Sequence, residues 1–311
     1  MAECIFCRRE AVYLRLYSGE RLCRKCYVKS IESRVQHTIS KHSMFKPNDR
    51  IAVALSGGKD SVSLLHILSG IEEGFPQSEL VAITIDEGIS GYRPEAIRIA
   101  RENCERLGVE HYVYSFKKLY GQTLDQIVTM AREGCELTPC SYCGILRRKA
   151  LNVAAKEVNA TRLATAHNLD DEVQSMLMNI IRGDVSRISQ IKPVLEGEKQ
   201  GFVQRTKPLC EVPEREVALY AFLKRIKFQT VSCPYLETSL RQDVRLFLNR
   251  LEMKHPGTKF TIYRSFGKIR PYLEGMERMG ELGYCEVCGE PATGGVCRAC
   301  QTLQDLGIAL R

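Results

Sequence analysis

Ser56-Gly57-Gly58-Lys59-Asp60-Ser61 is the stretch on which the reading of this chain turns. It follows Ile51-Ala52-Val53-Ala54-Leu55, a short β-branched apolar run of the kind that forms a buried parallel strand. It precedes Val62-Ser63-Leu64-Leu65-His66-Ile67-Leu68, whose apolar spacing is helical. A strand, a glycine turn and a helix start make an anion cradle. Glycines let backbone N–H groups approach a phosphate, the helix N-terminus adds partial positive charge, and Lys59, Ser56 and Ser61 add donors. A Walker A loop is excluded, because Val53 stands where its first glycine belongs and Asp60 follows the lysine.

The strands and helices on either side alternate. Leu80–Ile85 reads as a second buried strand ending in Asp86-Glu87-Gly88, 93–108 as a helix, 112–116 as a third strand, and 124–132 as a further helix. Arg162–His167 reads as the fourth strand, leading to a helix from Asp170 to about Arg182. This predicts an α/β fold, a doubly wound parallel sheet with ligands at the carboxyl ends of its strands. His167-Asn168-Leu169-Asp170-Asp171-Glu172 sets three carboxylates at a helix N-terminus. Dipole compensation accounts for Asp170 and Glu172.

At 311 residues the chain holds one large or two modest cores. No apolar run approaches membrane-spanning length and the first residues lack signal-peptide character, so a cytoplasmic protein is expected. Net charge is +8. Between Arg205 and Arg270 fourteen Lys and Arg face six Asp and Glu, so the whole surplus sits where a polyanion could dock. That region, from Pro213 on, reads as helical, with a basic face at Arg241, Arg245, Arg250 and Lys254.

Fourteen cysteines are many for a reducing compartment, and their pairing argues for metal. Cys4/Cys7 with Cys23/Cys26, and Cys285/Cys288 with Cys297/Cys300, have the spacing of four-thiolate zinc knuckles, two Zn2+ in all. The apolar sequence between the pairs is too sparse for a core, so metal would hold each knuckle together. The resulting division is an N-terminal ribbon (1–30), a linker helix (31–48), a catalytic domain (49–210), a basic helical region (211–280) and a C-terminal ribbon (281–311). Among the remaining cysteines, Cys140 and Cys143 open a helix carrying Arg147, and Cys233 stands before Pro234. Three converging thiolates leave one coordination position for a substrate. A third zinc site with another ligand and a dithiol pair passing through a persulfide stay open; Cys104, Cys135 and Cys210 complete the set.

All six positions from Ser56 to Ser61 match the SGGxDS loop of the PP-loop ATP pyrophosphatases. With ribbons at both ends, a central CxxC and a later Cys-Pro, the chain over its whole length resembles the TtcA/TtuA family of tRNA 2-thiouridine synthetases, the TtuA type most closely. The resemblance implies ATP and Mg2+ at the loop, with Asp60 near the metal and the backbone at Ala54, Ile85 and Ala166 facing adenosine. It implies a [4Fe-4S] cluster on Cys140, Cys143 and Cys233, and catalytic roles for Asp171 and Arg147. Ala166 replaces the usual glycine of the second motif, and arginine at 147 replaces the commoner lysine. Because a guanidinium keeps its proton, Arg147 is read as a phosphate or adenylate contact. Lys59 and Asp60 complete the catalytic set.

The implied reaction is adenylation of a uridine O2 by ATP, then sulfur delivery to C2 with loss of AMP. The implied partners are tRNA, a ubiquitin-like carrier with a C-terminal thiocarboxylate and, less specifically, a second copy of the chain. The implied target is ribothymidine 54, with wobble uridine 34 as the alternative; a lysidine-type PP-loop ligase is a different class that needs no cluster.

Overall fold

The computed structural model describes residues 2–131, 137–195, 201–235, 240–274 and 282–308. Cys135, the end of the 124–132 helix and the 280/281 boundary lie outside them. The chain begins with hairpin β1 (Tyr13–Arg15) and β2 (Glu20–Leu22), followed by α1 (Arg24–Lys41). That helix starts earlier than its apolar stripe suggests, because Cys23 caps it by accepting from the Cys26 N–H. Tyr27, Ile31 and Val35, fully buried on one face of α1, each contribute ~1.5–3 kcal/mol by leaving water.

The α/β body follows: β3 (Arg50–Ala54), α2 (Lys59–Glu72), β4 (Glu79–Asp86), α3 (Arg93–Leu107), β5 (Glu110–Ser115), α4 (Phe116–Tyr120), α5 (Leu124–Met130), α6 (Pro139–Glu157), β6 (Arg162–Ala164) and α7 (Leu169–Ile181). Then come α8 (Val185–Ser189), β7 (Val194–Leu195), β8 (Gln204–Thr206), α9 (Glu214–Lys224), α10 (Leu240–Lys254), α11 (Thr258–Glu274), hairpin β9 (Leu282–Tyr284) and β10 (Pro291–Thr293), and α12 (Arg298–Asp305).

The central sheet runs β5-β4-β3-β6-β8-β7. The first five strands are parallel, and β7 closes the edge antiparallel to β8. The sheet is therefore mixed at one edge; a two-residue strand such as β7 is too short to show a pattern. Strand order reverses between β3 and β6, so the ligand crevice of a doubly wound sheet falls between the two strands that precede Ser56 and His167.

Helices cover both faces. One apolar cluster joins α1, α2, α3 and α9; the other joins α4, α5 and α6 and reaches Leu303 of α12. The N-terminal hairpin docks through Glu216, a fully buried carboxylate that accepts from Arg15 at 3.1 Å, Arg34 at 3.1 Å and the Tyr17 hydroxyl at 2.8 Å. At the other end Glu290 ties the C-terminal hairpin to α6 through Asn152 (2.5 Å) and Lys156 (2.7 Å). Among the described residues no helix is long and apolar enough to cross a membrane.

Candidate nucleotide and cysteine site

The loop after β3 is shaped by one glycine and left open by the other. Gly57 has φ +85°, and a Cβ there would lie 2.5 Å from the Ala96 carbonyl oxygen, so only glycine fits. Gly58 has an ordinary φ of −75°, and a Cβ on it would meet only the Ser56 hydroxyl at 3.5 Å. Gly58 is the N-cap of α2 and gives its first turn no side-chain partner. Those N–H groups therefore face a place where an anion can sit. Ser61 fastens the turn, accepting from Ser56 N–H at 3.1 Å and donating to the Gly58 carbonyl at 2.9 Å.

In front of the loop lies a cavity of about 320 Å³, lined by Ala54, Ser56, Gly58, Asp60, Ser61, Ile85, Arg147, Ala166 and Asp171. These are nine of the eleven residues that the sequence assigns to nucleotide binding and catalysis. Gly57 stays behind it as the steric hinge. Lys59 turns to the far side, 2.8 Å from Asp60 and 2.9 Å from Glu214. Burial pulls the Lys59 ammonium down, but the two carboxylates more than offset it, so it stays charged. Asp60 is raised by burial, with Lys59 opposing, and accepts from Asn168 Nδ2 at 3.3 Å. That bond links the pyrophosphate loop to the N-cap of α7.

Asp171 occupies the third position of α7, where it completes a capping box: Asn168 N–H donates to its carboxylate at 3.1 Å. Burial pushes it up to about 6, the Asn168 N–H opposes, and Asp60 adds to the rise. A carboxylate near neutral pKa in a cleft marks a candidate for proton chemistry or charge sensing. Its neighbours Asp170 and Glu172 do more than face the helix dipole. Asp170 accepts from the Glu214 N–H at 2.8 Å and pairs with Lys259 of α11, and Glu172 holds Lys207 at 2.8 Å.

Three titratable lining residues, Glu87, Arg93 and His167, were given no role by the sequence reading. Glu87, 4 % exposed, faces Arg93 at 2.7 Å and Arg147 at 3.6 Å. Arg93 donates to the carbonyls of Ser56, at 3.1 Å, and of Ile85. Glu87 follows β4 at the carboxyl edge of the sheet, which is the position that could have flagged it. His167 opens to the cavity with Nδ1 3.0 Å from the Thr165 hydroxyl. Enclosure by the cleft walls, then Lys207 and Arg147, push it down to about 3, so its imidazole is neutral.

Arg147 is also the boundary with the cysteines. It sits one turn after Cys143 on α6, and Cys143 and Cys233 pack against the same apolar cluster. Cys140 Sγ donates to the carbonyl of Tyr235, two residues beyond Cys233, at 3.1 Å. Burial pushes the Cys143 thiol up to about 11; Arg147 opposes, while Glu87, Cys233 and Cys140 add to it. Thr138 caps the helix by accepting from Ser141 N–H, which places both cysteines in its first two turns. The three thiols do not form a tight single-ion group of the kind seen at the two ends of the chain. Their sulfurs are the soft donor type that both zinc and iron–sulfur groups take.

At those ends the fit is to a single ion. The ligand atoms of Cys4, Cys7, Cys23 and Cys26, and those of Cys285, Cys288, Cys297 and Cys300, each lie within 4.8 Å of one another. Backbone N–H groups point at the sulfurs, from Cys26 to Cys23 and from Cys297 to Cys285. Such donors favour thiolate over thiol, as a four-thiolate metal knuckle requires.

The pattern shared by PP-loop domains matches residues 28–251. A tRNA 2-thiolation protein, NcsA, of Haloferax volcanii is 37 % identical over 321 residues, 98 % of this chain and 99 % of that one. The chain belongs to the PP-loop family of tRNA 2-thiolation proteins. A probable sulfurtransferase of Methanocaldococcus jannaschii is 37 % identical over 96 % of the chain and 86 % of the relative. The U34-tRNA thiolase NcsA of Methanococcus maripaludis, solved with its [4Fe-4S] cluster, superposes with a TM-score of 0.87 at 35 % identity, covering 100 % of this chain and 98 % of that one. The family is one of ATP-using sulfurtransferases, which bears out the likeness drawn from the motifs and the expectation of an enzyme. The expectation of ribothymidine 54 as target does not fit these relatives, one of which is described as acting on uridine 34.

Proposed function

We propose that this protein 2-thiolates the wobble uridine, position 34, of tRNA at the expense of ATP. The observation that carries the reading is one wall shared by two sites: Arg147 lines the nucleotide cavity and stands one turn from Cys143. An adenylated base formed at the loop would need no long transfer before meeting sulfur. The likeness to a U34-tRNA thiolase over the whole chain supports position 34.

In this reading the first turn of α2 and the hydroxyls of Ser56 and Ser61 bind the pyrophosphate, and Asp60 would help hold a magnesium ion. Adenosine lies along β3, β4 and β6 at Ala54, Ile85 and Ala166. The uridine O2 attacks the α-phosphorus, the bond to pyrophosphate breaks, and Arg147 steadies the charge on the adenylate. Alignment and fixed charge supply most of the acceleration. The Asp171 carboxylate takes the uridine N3 proton as O2 becomes the nucleophile. Cys140, Cys143 and Cys233 would hold a [4Fe-4S] cluster, which would supply sulfide for the transfer. Sulfur replaces the adenylated oxygen at C2 and AMP leaves. Zinc fills the two terminal knuckles. The sulfur donor, a thiocarboxylated ubiquitin-like protein, rests on the family resemblance alone.

The test is nucleoside mass spectrometry of position-resolved fragments after anaerobic incubation of protein, ATP, sulfide and a tRNA transcript. A mass gain of sulfur for oxygen at position 34 is expected. The same gain at position 54, or AMP without any thiolation, would reject the assignment.

A further inference from the structure

A second cavity, about 630 Å³, opens between α1 and α11 beside α7. Two helical stripes build it. From α1 come Arg34, His37 and Lys41; from α11 come Phe260, Tyr263, Arg264, Gly267 and Arg270, at the three- and four-residue spacing of one helix face. Tyr17 from the N-terminal hairpin packs on Phe260 with ring centroids 4.8 Å apart, and the Arg34 guanidinium lies 5.7 Å and 5.8 Å from the two ring centres. One carboxylate, Glu211, lines the groove, already engaged by Lys41 at 2.6 Å, and the buried Glu216 engages Arg34 at 3.1 Å and the Tyr17 hydroxyl at 2.8 Å. In the middle of the α11 stripe Gly267 is exposed, and a Cβ there would meet nothing within 4 Å, so the floor is open.

Cations interleaved with aromatic faces, with little negative charge, are what an unpaired nucleic-acid strand requires: phosphates on the charges and bases against the rings. Met176 of α7 also lines the groove, five residues after Asp171 and so about 7.5 Å further along the helix axis. We propose that this groove binds single-stranded nucleotides of the substrate tRNA that neighbour the modified base. The inference rests on the tRNA reading above and deepens it: the N-terminal hairpin, α1 and α11 together form the strand-binding face, and the base in the cleft is reached from there.

The test uses Gly267, because its exposed site takes a side chain without a clash and both replacements are better helix formers than glycine. Gly267→Glu places a carboxylate on the groove floor, and Gly267→Lys places a cation there. Binding of a tRNA transcript is read by fluorescence anisotropy across a salt series, beside ATP binding and thermal melting for each variant. The glutamate variant is expected to weaken tRNA binding about ten-fold at low salt, while the lysine variant binds at least as well as the parent, with a steeper salt dependence. ATP binding and melting temperature should hold in both. Equal tRNA affinity for the two variants overturns the proposal, as does a change confined to self-association, which would make the groove a contact between copies. Failure of the parent protein itself to bind tRNA would instead remove the functional reading on which the proposal stands.

Discussion

Arg147 Nη1 stands 3.6 Å from Glu87 Oε1, and the second oxygen of that carboxylate faces Arg93 at 2.7 Å. One buried anion thus holds two cations: Arg93, whose guanidinium ties the glycine loop to the end of β4, and Arg147, whose exposed side chain lines the cavity one turn from Cys143. Removing the anion should act on stability through Arg93 and on chemistry through Arg147. Glu87→Gln is expected to cost about 3–5 kcal/mol, the usual penalty for leaving a buried partner uncompensated. Arg147→Ala, at a half-exposed position, should leave the urea midpoint nearly unchanged while AMP formation with ATP and tRNA falls at least ten-fold. A comparable loss of stability in both variants would show that Arg147 is structural.

The two glycines of the loop should separate in the same way. Gly57→Ala forces a left-handed φ and a contact at 2.5 Å with a backbone oxygen, strain of about 1–3 kcal/mol that the Ala96 backbone cannot relieve cheaply. Gly58→Ala meets only ordinary contact, yet its methyl group enters the anion cradle. Thermal melting should fall for the first and hold for the second, while isothermal titration with ATP should show binding lost in the second.

The contrast also shows what was legible in the sequence. The strand, loop and helix around Ser56 could be read because local pattern and tertiary role agree there. The same holds for the two four-cysteine knuckles, whereas in the acidic motif after β6 the partners of Asp170 and Glu172, Lys259 and Lys207, lie too far along the chain to be read locally. Lys59 could not be placed, since its direction is set by Glu214, 155 residues away. Glu87 and Arg93 lay hidden for the same reason: each looks like an ordinary surface charge until β4 and α3 bring them together, 4 % exposed. The residues of α11 carry no recognisable motif, and their meaning appears only when α1 lies opposite.

Asp171 gives a pH prediction whose sign follows from its carboxyl being raised from 3.8 to about 6. Between those values the folded protein holds a proton that the unfolded chain has released. Stability from this group is therefore full below pH 3.8 and declines as pH rises to about 6. Asp171→Asn keeps an acceptor oxygen for the Asn168 cap but cannot ionise. Relative to the parent, its melting temperature should rise as pH increases from 4 to 6 and then stay level. AMP formation by the parent should rise between about pH 5 and about pH 7 with a half-point near pH 6, and the variant should show neither the rise nor the activity.

The C-terminal knuckle should report on α6. Lys149 lies 3.3 Å from Cys300 Sγ, and Asn152 and Lys156 both reach Glu290, so the helix that begins with Cys140 and Cys143 is braced along its length by the knuckle. Metal bound by the four thiolates would supply the stability that so small a unit lacks. Cys288→Ser, or a chelator strong enough to strip zinc, is expected to unfold the knuckle and free the middle of α6. The readout is hydrogen exchange. Amides from Ile145 to Glu157 should lose protection when the knuckle loses any bound metal, whereas those of α2 and α3, on the opposite face of the sheet, should keep it. Loss of metal from the knuckle with α6 as protected as before would mean that the apolar contacts of Tyr142, Leu146 and Ala150 hold the helix without it.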